Sequence, residues 1–235
     1  MSDNDILPEL DVFDSAEALA EGAADQVTEC LRAALQARGE ASFAASGGHS
    51  PLETYERLRQ EALAWEAVTV VPTDERWVDP SSPDSNEGFL RQHLLTGAAE
   101  GAKFLPLWSP KRTPEANAAC VDLAISALLP FDVAMLGMGE DGHFASLFPG
   151  SPILAEGLDP DGQRLCLAVP PGRPAPPQTR ISLTLRALLD ARRIILLISG
   201  AAKRRTLDAA LAGKDLPIGR LLHQDRAPVR VLWAP

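Results

Sequence analysis

Residues 132–150 read Asp-Val-Ala-Met-Leu-Gly-Met-Gly-Glu-Asp-Gly-His-Phe-Ala-Ser-Leu-Phe-Pro-Gly. The apolar run Val133 to Leu136 has the length and bounds of a buried strand. It empties into a loop with glycines at 137, 139 and 142, which lets the backbone turn tightly and approach a ligand. Asp141 and His143 stand two residues apart in that loop, and a carboxylate beside an imidazole is a common way to orient a general base. Gly137-x-Gly139-x-x-Gly142 also matches the dinucleotide fingerprint in letters. That fingerprint needs a crossover helix after its third glycine, and Pro149 and Pro152 stop one within two turns. A tight turn with Asp141 capping a short helix is the plainer reading of Asp141-Gly142-His143, and the residues leave it open.

Outward from this loop, strands and helices alternate. Ser15 caps a helix over 15–38 that carries Leu19, Ala23, Val27, Leu31 and Leu35 at helical spacing and ends at Gly39. A short strand from Ala41 runs into Ser46-Gly47-Gly48-His49-Ser50-Pro51, where Ser50 reads as an N-cap, Pro51 as the first helical residue and Glu53 as the partner of a capping box. Strand Val68–Val71 leads to Thr73-Asp74-Glu75-Arg76, then a polar loop and a helix from Asn86 to Leu95. Lys103–Leu107 reads as a short strand. Thr113 and Pro114 open a helix closed by Pro130, with Ala116, Cys120, Leu123 and Leu128 as its expected inner face. After the central loop come a loop-like stretch over 151–162, a strand Arg164–Val169 and a connector over 170–179 with five prolines. Extended residues Arg180–Thr184, a helix to Asp190, a strand Arg193–Ile198, a helix Ala201–Leu211 and a last strand Val229–Trp233 follow. Such alternation implies an α/β fold of Rossmann-like type, a mainly parallel sheet with helices on both faces, in one domain over 1–235. Ligands of these sheets gather at the carboxyl ends of the strands, where the loops after Ser46, Leu136 and Ser199 all emerge.

Composition narrows the class. At 235 residues the chain can bury a sizeable core, and 46% hydrophobic with 23% charged residues is ordinary for a globular protein. A net charge of −10 disfavours general binding to nucleic acid or to an anionic membrane, and an acidic protein must concentrate positive charge locally to hold an anion. Met1 to Asp5 lack the basic-then-apolar pattern of a secretory signal, and the run Ile194–Ile198 is too short to span a bilayer. The three cysteines, Cys30, Cys120 and Cys166, have no paired spacing and read as ordinary buried thiols of a reducing cytoplasm. The four histidines (49, 93, 143, 223) lack metal-ligand spacing, so no built-in metal site is expected.

Local positive charge is available. Ser46-Gly47-Gly48 at a helix start has the form of a phosphate or carboxylate cradle, and equally that of a plain strand-to-helix turn. Lys203, Arg204 and Arg205 stand near the N-terminus of a helix, where cations oppose its dipole. Lys203 is read as an anion ligand and the other two as solvated. Arg76 and Arg180 fit a surface ion pair as well as a site. His49 is placed to touch a ligand or stand by; His93 and His223 read as structural or solvated.

Together these segments resemble the 6-phosphogluconolactonases, which share a sugar-phosphate fold with the glucosamine-6-phosphate deaminases. The resemblance rests on Ser46-Gly47-Gly48-x-x-Pro51, Thr73-Asp74-Glu75-Arg76, Ser85-Asn86 with Arg91, the run Leu136 to Pro149, Arg180 to Thr184, and Gly200-x-x-Lys203, in that order. The deaminase branch continues Asp-Gly-His-x-Ala into Asn-Glu-Pro; this chain has Ser146-Leu147-Phe148-Pro149 and no carboxylate there. His49 departs from the residue usual in lactonases. The resemblance implies hydrolysis of 6-phospho-D-glucono-1,5-lactone, with His143 as general base, Asp141 orienting it, and a backbone N–H between Gly137 and Gly142, Gly139 included, at the oxyanion. Ser46, Gly47, Gly48, Lys203, Arg180 and Arg76 are then expected around the phosphate, with Asp74 holding Arg76 or a sugar hydroxyl. It implies a small phosphorylated sugar lactone as partner of a monomer or weak dimer, and it calls for no cofactor. A glucosamine-6-phosphate deaminase or isomerase, and a non-catalytic sugar-phosphate sensor, are the competing functions; the first lacks its glutamate here and the second its usual DNA-binding segment.

Overall fold

In a computed structural model, described over residues 8–172 and 177–235, seven parallel strands form the central sheet. In chain order the elements are β1 (Glu9–Val12), α1 (Ala16–Arg38), β2 (Ala41–Ala45), α2 (Leu52–Leu58), β3 (Val68–Pro72), β4 (Asp74–Arg76), α3 (Asn86–His93), β5 (Lys103–Phe104) and α4 (Pro114–Ser126). Then follow β6 (Val133–Leu136), α5 (Leu154–Gly157), β7 (Cys166–Val169), β8 (Arg180–Leu183), α6 (Leu185–Leu189), β9 (Ile194–Ser199), α7 (Gly200–Leu211), α8 (Pro217–Leu222) and β10 (Val229–Ala234). The sheet order is β1-β10-β9-β6-β2-β3-β5.

The central strands are apolar on both sides because both sides are covered. In β2, Phe43 and Ala45 pack with Leu31 of α1 and Tyr55 of α2, while Ala44 packs with Val121 of α4 and Leu207 of α7. β9 divides in the same way: Ile195 and Leu197 join the first core, and Ile194, Leu196 and Ile198 the second. Alternate side chains of a strand point to opposite faces, so one sheet separates two cores. α1 starts where Ser15 Oγ accepts from Ala18 N and ends where Gly39 N donates to Leu35 O. Its Leu19, Val27 and Leu31 are buried, each contributing about 1.5–3 kcal/mol of transfer free energy.

Four expectations are corrected. The stretches around Asp74, Cys166 and Arg180 do not join the main sheet; β4, β8 and β7 form a separate antiparallel sheet in that order. The two sheets meet at Thr73, whose N–H donates to Ala45 O at 3.0 Å and whose carbonyl accepts from Leu183 N at 2.9 Å. The inner face of α4 is Asn117, Ala118, Val121 and Ile125, whereas Leu123 is 76% exposed and Ala116 and Cys120 face outward. Asn117 belongs inside because its amide donates to Leu107 O at 2.7 Å, which satisfies a polar group that reads as surface. Cys120 is therefore an exposed thiol rather than a buried one. α5 stands in the stretch 151–162 read as loop-like, and β1 and α8 stand in segments to which no element is assigned from the sequence. The N-terminal residues 1–7 and part of the proline connector, 173–176, lie outside the described residues. Among the described residues no helix is long and apolar enough to cross a membrane.

Candidate active site

The chain passes from β2 to β3 on one side and later returns to place β6 on the other side of β2. At such a reversal the loops leaving the two neighbouring strands diverge and open a crevice. The loop after β2 carries Ser46, Gly47 and Gly48. It is tied down by Ser46 N donating to Met135 O at 3.1 Å and by the buried Tyr55 hydroxyl donating to Ser46 O at 2.5 Å. Gly47 permits a close approach: a Cβ there would fall 2.0 Å from Asn86 Oδ1. The expected capping box is absent. Leu52 N turns back to His49 O, Pro51 becomes the N-cap residue and no side chain caps α2. Ser50 Oγ instead stands 3.5 Å from Lys203 Nζ.

The loop after β6 is folded on itself. Gly139 N donates to His143 O at 2.9 Å and Gly142 N to Gly139 O at 3.0 Å. Asp141 Oδ1 accepts from His143 N at 3.1 Å and lies 2.6 Å from His143 Nδ1. A carboxylate on Nδ1 fixes that nitrogen as the donor and leaves Nε2 with the lone pair that a base needs. The pair lies directly over Gly139, where a Cβ would meet the imidazole at 2.2 Å and the carboxylate at 2.6 Å. Asp141 therefore holds His143 rather than capping a helix, and the first helix after the loop is the four-residue α5. Phe148 closes the other side of the imidazole, ring centroids 4.4 Å apart. Between them Ala145 has φ +47°, a left-handed conformation costing an alanine roughly 1 kcal/mol. It is held there because the next residue, Ser146, is anchored at both ends: its N–H donates to Ser182 Oγ at 3.1 Å and its hydroxyl to Asp74 Oδ2 at 2.5 Å.

The cations come from the second sheet and from α7. In β4–β8 pairing Arg76 stands directly opposite Arg180, a like-charge pair that costs free energy unless neutralised. Asp74, two residues along the same face, lies 3.5 Å from Arg180 Nη1, and Ser146 Oγ accepts from the same nitrogen at 3.3 Å. Asp74 thus holds Arg180 rather than Arg76, the first of the two partners expected for it; Arg76 donates to Asp84 O at 2.7 Å and Asn86 Oδ1 at 3.1 Å. Arg180 is buried rather than solvated, with its guanidinium 5.2 Å from the Phe148 ring. Burial holds it below the usual arginine range, with Asp74 pulling the other way. Lys203 is held below the usual lysine range by desolvation, partly offset by Glu140.

These groups line one cavity of about 410 Å³. Ser46, Gly47, Gly48 and Lys203 form one part of its wall, Asp74, Arg76 and Arg180 another, and Gly139 and His143 a third. Asp141 reaches it through His143. The cavity is within the usual range for a small-molecule site and joins an imidazole to three cations. A cavity of about 380 Å³ beside Trp108 and one of about 300 Å³ beside Gln224 bring together no such set.

Other nominations separate cleanly. His49 lines the cavity. Arg204 pairs with Asp208 and lies over Trp233, Arg205 is exposed, and Arg91 pairs with Glu87 over the Phe104 ring. His93 stands 3.5 Å from Glu56, and His223 Nε2 3.0 Å from Ala210 O. Sequence reasoning gave no part to Glu75 or Ser146 and none to Asn86 beyond the resemblance. Asn86 lines the cavity and donates to Asp74 O at 2.7 Å. Glu75, fully buried beneath it, accepts from four donors, and burial nonetheless pushes its carboxyl up to about 7. The available signal was the unbroken polarity of Thr73 to Arg76 straight after an apolar strand.

Known proteins are similar to this chain in sequence over nearly its whole length and in fold. A family model described as glucosamine-6-phosphate isomerases/6-phosphogluconolactonase matches residues 14–233. A 6-phosphogluconolactonase of Caulobacter vibrioides is 45% identical over 225 residues, covering 96% of this chain and 97% of the relative. One of Pseudomonas putida is 46% identical over 223 residues, covering 94% and 90%. A crystal structure of a 6-phosphogluconolactonase from Shewanella baltica superimposes with a TM-score of 0.89 at 36% identity, covering 98% of this chain and 99% of that one. The chain belongs to the glucosamine-6-phosphate isomerase/6-phosphogluconolactonase family.

Proposed function

We propose that the chain hydrolyses 6-phospho-D-glucono-1,5-lactone to 6-phospho-D-gluconate, the lactone-opening step of the oxidative pentose phosphate pathway, with His143 as general base. His143 Nε2 takes a proton from a water as its oxygen bonds to the lactone carbonyl carbon. Asp141, 2.6 Å from Nδ1, holds the ring and stabilises the imidazolium that forms. The carbonyl oxygen becomes an oxyanion facing an amide of the loop after β6. The N–H groups of Gly139 and Gly142 are engaged within that loop, so the donor is one of its other amides. Collapse of the tetrahedral intermediate breaks the bond to the ring oxygen, which takes the proton back from His143. The phosphate rests on Ser46, Gly47 and Gly48 and meets Lys203, Arg76 and Arg180, with Asp74 keeping Arg180 in place. Bidentate guanidinium groups suit a phosphate better than a point charge alone.

The observation that carries this reading is the oriented imidazole in one cavity with three cations, on a chain whose net charge is −10. The relatives' names supply the substrate. The reading includes a cytoplasmic monomer or weak dimer that needs no nucleic acid or membrane. The test is turnover of freshly prepared 6-phosphogluconolactone, followed through oxidation of its product and corrected for spontaneous opening. His143→Ala is expected to lower kcat by about 10²–10⁴-fold, the usual contribution of a positioned acid–base group. Near-normal turnover by that variant would refute the base assignment.

A further inference from the structure

Glu75 is the residue of β4 that points away from the cavity, between Asp74 and Arg76, which line it. It is fully buried, and its carboxylate is fully used. Oε1 accepts from Arg76 N at 2.8 Å and Asn86 N at 2.7 Å; Oε2 accepts from Glu87 N at 2.6 Å and Ser85 Oγ at 3.1 Å. Burying a carboxylate is costly unless it is well bonded, so its place here needs a reason. Starting α3 is not that reason. Ser85 already caps α3 through its own hydroxyl, which accepts from Gly88 N at 3.1 Å. Glu75 adds a fixed register between α3 and β4, since it grips the first-turn amides of one and the backbone of the other.

That register sets Asn86. The Asn86 amide donates to Asp74 O at 2.7 Å and accepts from Arg76 Nη1 at 3.1 Å, and it occupies the space a side chain at 47 would need. One amide thus touches the Arg76 guanidinium and the backbone of the glycine cradle together. We propose that Glu75 is a positioning residue for phosphate selectivity: it fixes the head of α3 so that Asn86 holds Arg76 at the Ser46–Gly48 cradle. This rests on the cavity being a site for a phosphorylated lactone. Glu75 does not touch the substrate and acts only through Asn86 and Arg76. His143 and Asp141 stand on the loop after β6, and their hydrogen bonds run within that loop rather than to Glu75 or Asn86.

The experiment compares kcat/KM for 6-phosphogluconolactone with that for unphosphorylated glucono-1,5-lactone, in the wild type, Glu75→Gln and Asn86→Ala. Glutamine keeps the shape of Glu75 but turns an NH₂ group toward two donors. The preference for the phosphorylated substrate is expected to fall about tenfold in each variant, the size of one charge-assisted contact. A residue that only supports folding lowers both values together and leaves their ratio as it was. A ratio within twofold of the wild type in either folded variant overturns the proposal. Should Glu75→Gln fail to fold, Asn86→Ala carries the test, because it removes the side chain through which Glu75 acts. It also leaves Asp74 O without its side-chain donor, a loss that lowers both values together and leaves their ratio as it was. A wild-type protein that opens neither lactone faster than water refutes the lactonase reading itself. A wild type that opens both without preferring the phosphorylated one refutes the phosphate site and the role of Glu75 together.

Discussion

Two aspartates serve the same cavity and are held in opposite ways. The Asp141 side chain is 38% exposed and bonds to an imidazole two residues along the chain. The Asp74 side chain is 10% exposed and bonds to Ser146 and Arg180, both distant in sequence. A half-exposed local pair costs little to form and can change charge state during a reaction. A buried pair made across two sheets is part of the framework, because removing either member strands the other. The same residue type is thus proposed to act on chemistry in one place and on architecture in the other.

Substitution at the two positions should break that symmetry. Asp74→Ala leaves the buried Arg180 without its carboxylate and is expected to cost about 3–5 kcal/mol of stability, read as a large fall in the denaturant midpoint. A variant as stable as the wild type would show that Asp74 is not structural. Asp141→Asn removes the carboxylate at a partly solvated position. Its kcat should fall by roughly 10²–10⁴-fold with the thermal midpoint nearly unmoved, as expected when an imidazole loses its orienting carboxylate. Loss of stability with intact turnover would reverse the two roles.

The smallest expected effect sharpens the electrostatic side. Desolvation lowers the Lys203 pKa, so the amine loses its proton at a lower pH than an ordinary lysine, whose reference value is about 10.4. Anion binding needs the protonated form. Affinity for 6-phosphogluconate, measured by calorimetry, should therefore decline on the alkaline side before an unperturbed lysine would titrate. Lys203→Arg, charged throughout, should remove that decline, a difference of a few-fold. Identical pH profiles for the two proteins would detach Lys203 from the anion.

What could be read from the sequence follows the same division. The loop after β6 was legible because its strand, its glycines and the Asp141–His143 pair lie within a dozen residues. The parallel sheet was legible because its strands are apolar on both faces. The second sheet was not: Arg180 opposite Arg76 and Asp74 against Ser146 are contacts between segments that nothing local connects. α4 misled for another reason. Apolar residues surround it, so two faces have equal claims by spacing, and the buried one is marked by Asn117, a residue type normally assigned to solvent. Ser50 has the composition of a cap, but the turn from His49 to Leu52 spends the geometry that a cap requires.

The second sheet draws β4 from 74–76, β7 from 166–169 and β8 from 180–183, with β5 and β6 of the main sheet intervening between β4 and β7. The cavity therefore has no contiguous gene segment of its own. It cannot be moved as a cassette onto another scaffold, nor be exchanged by recombining one stretch of coding sequence. Altered specificity in this architecture has to come from point changes that keep the braid between the two sheets intact.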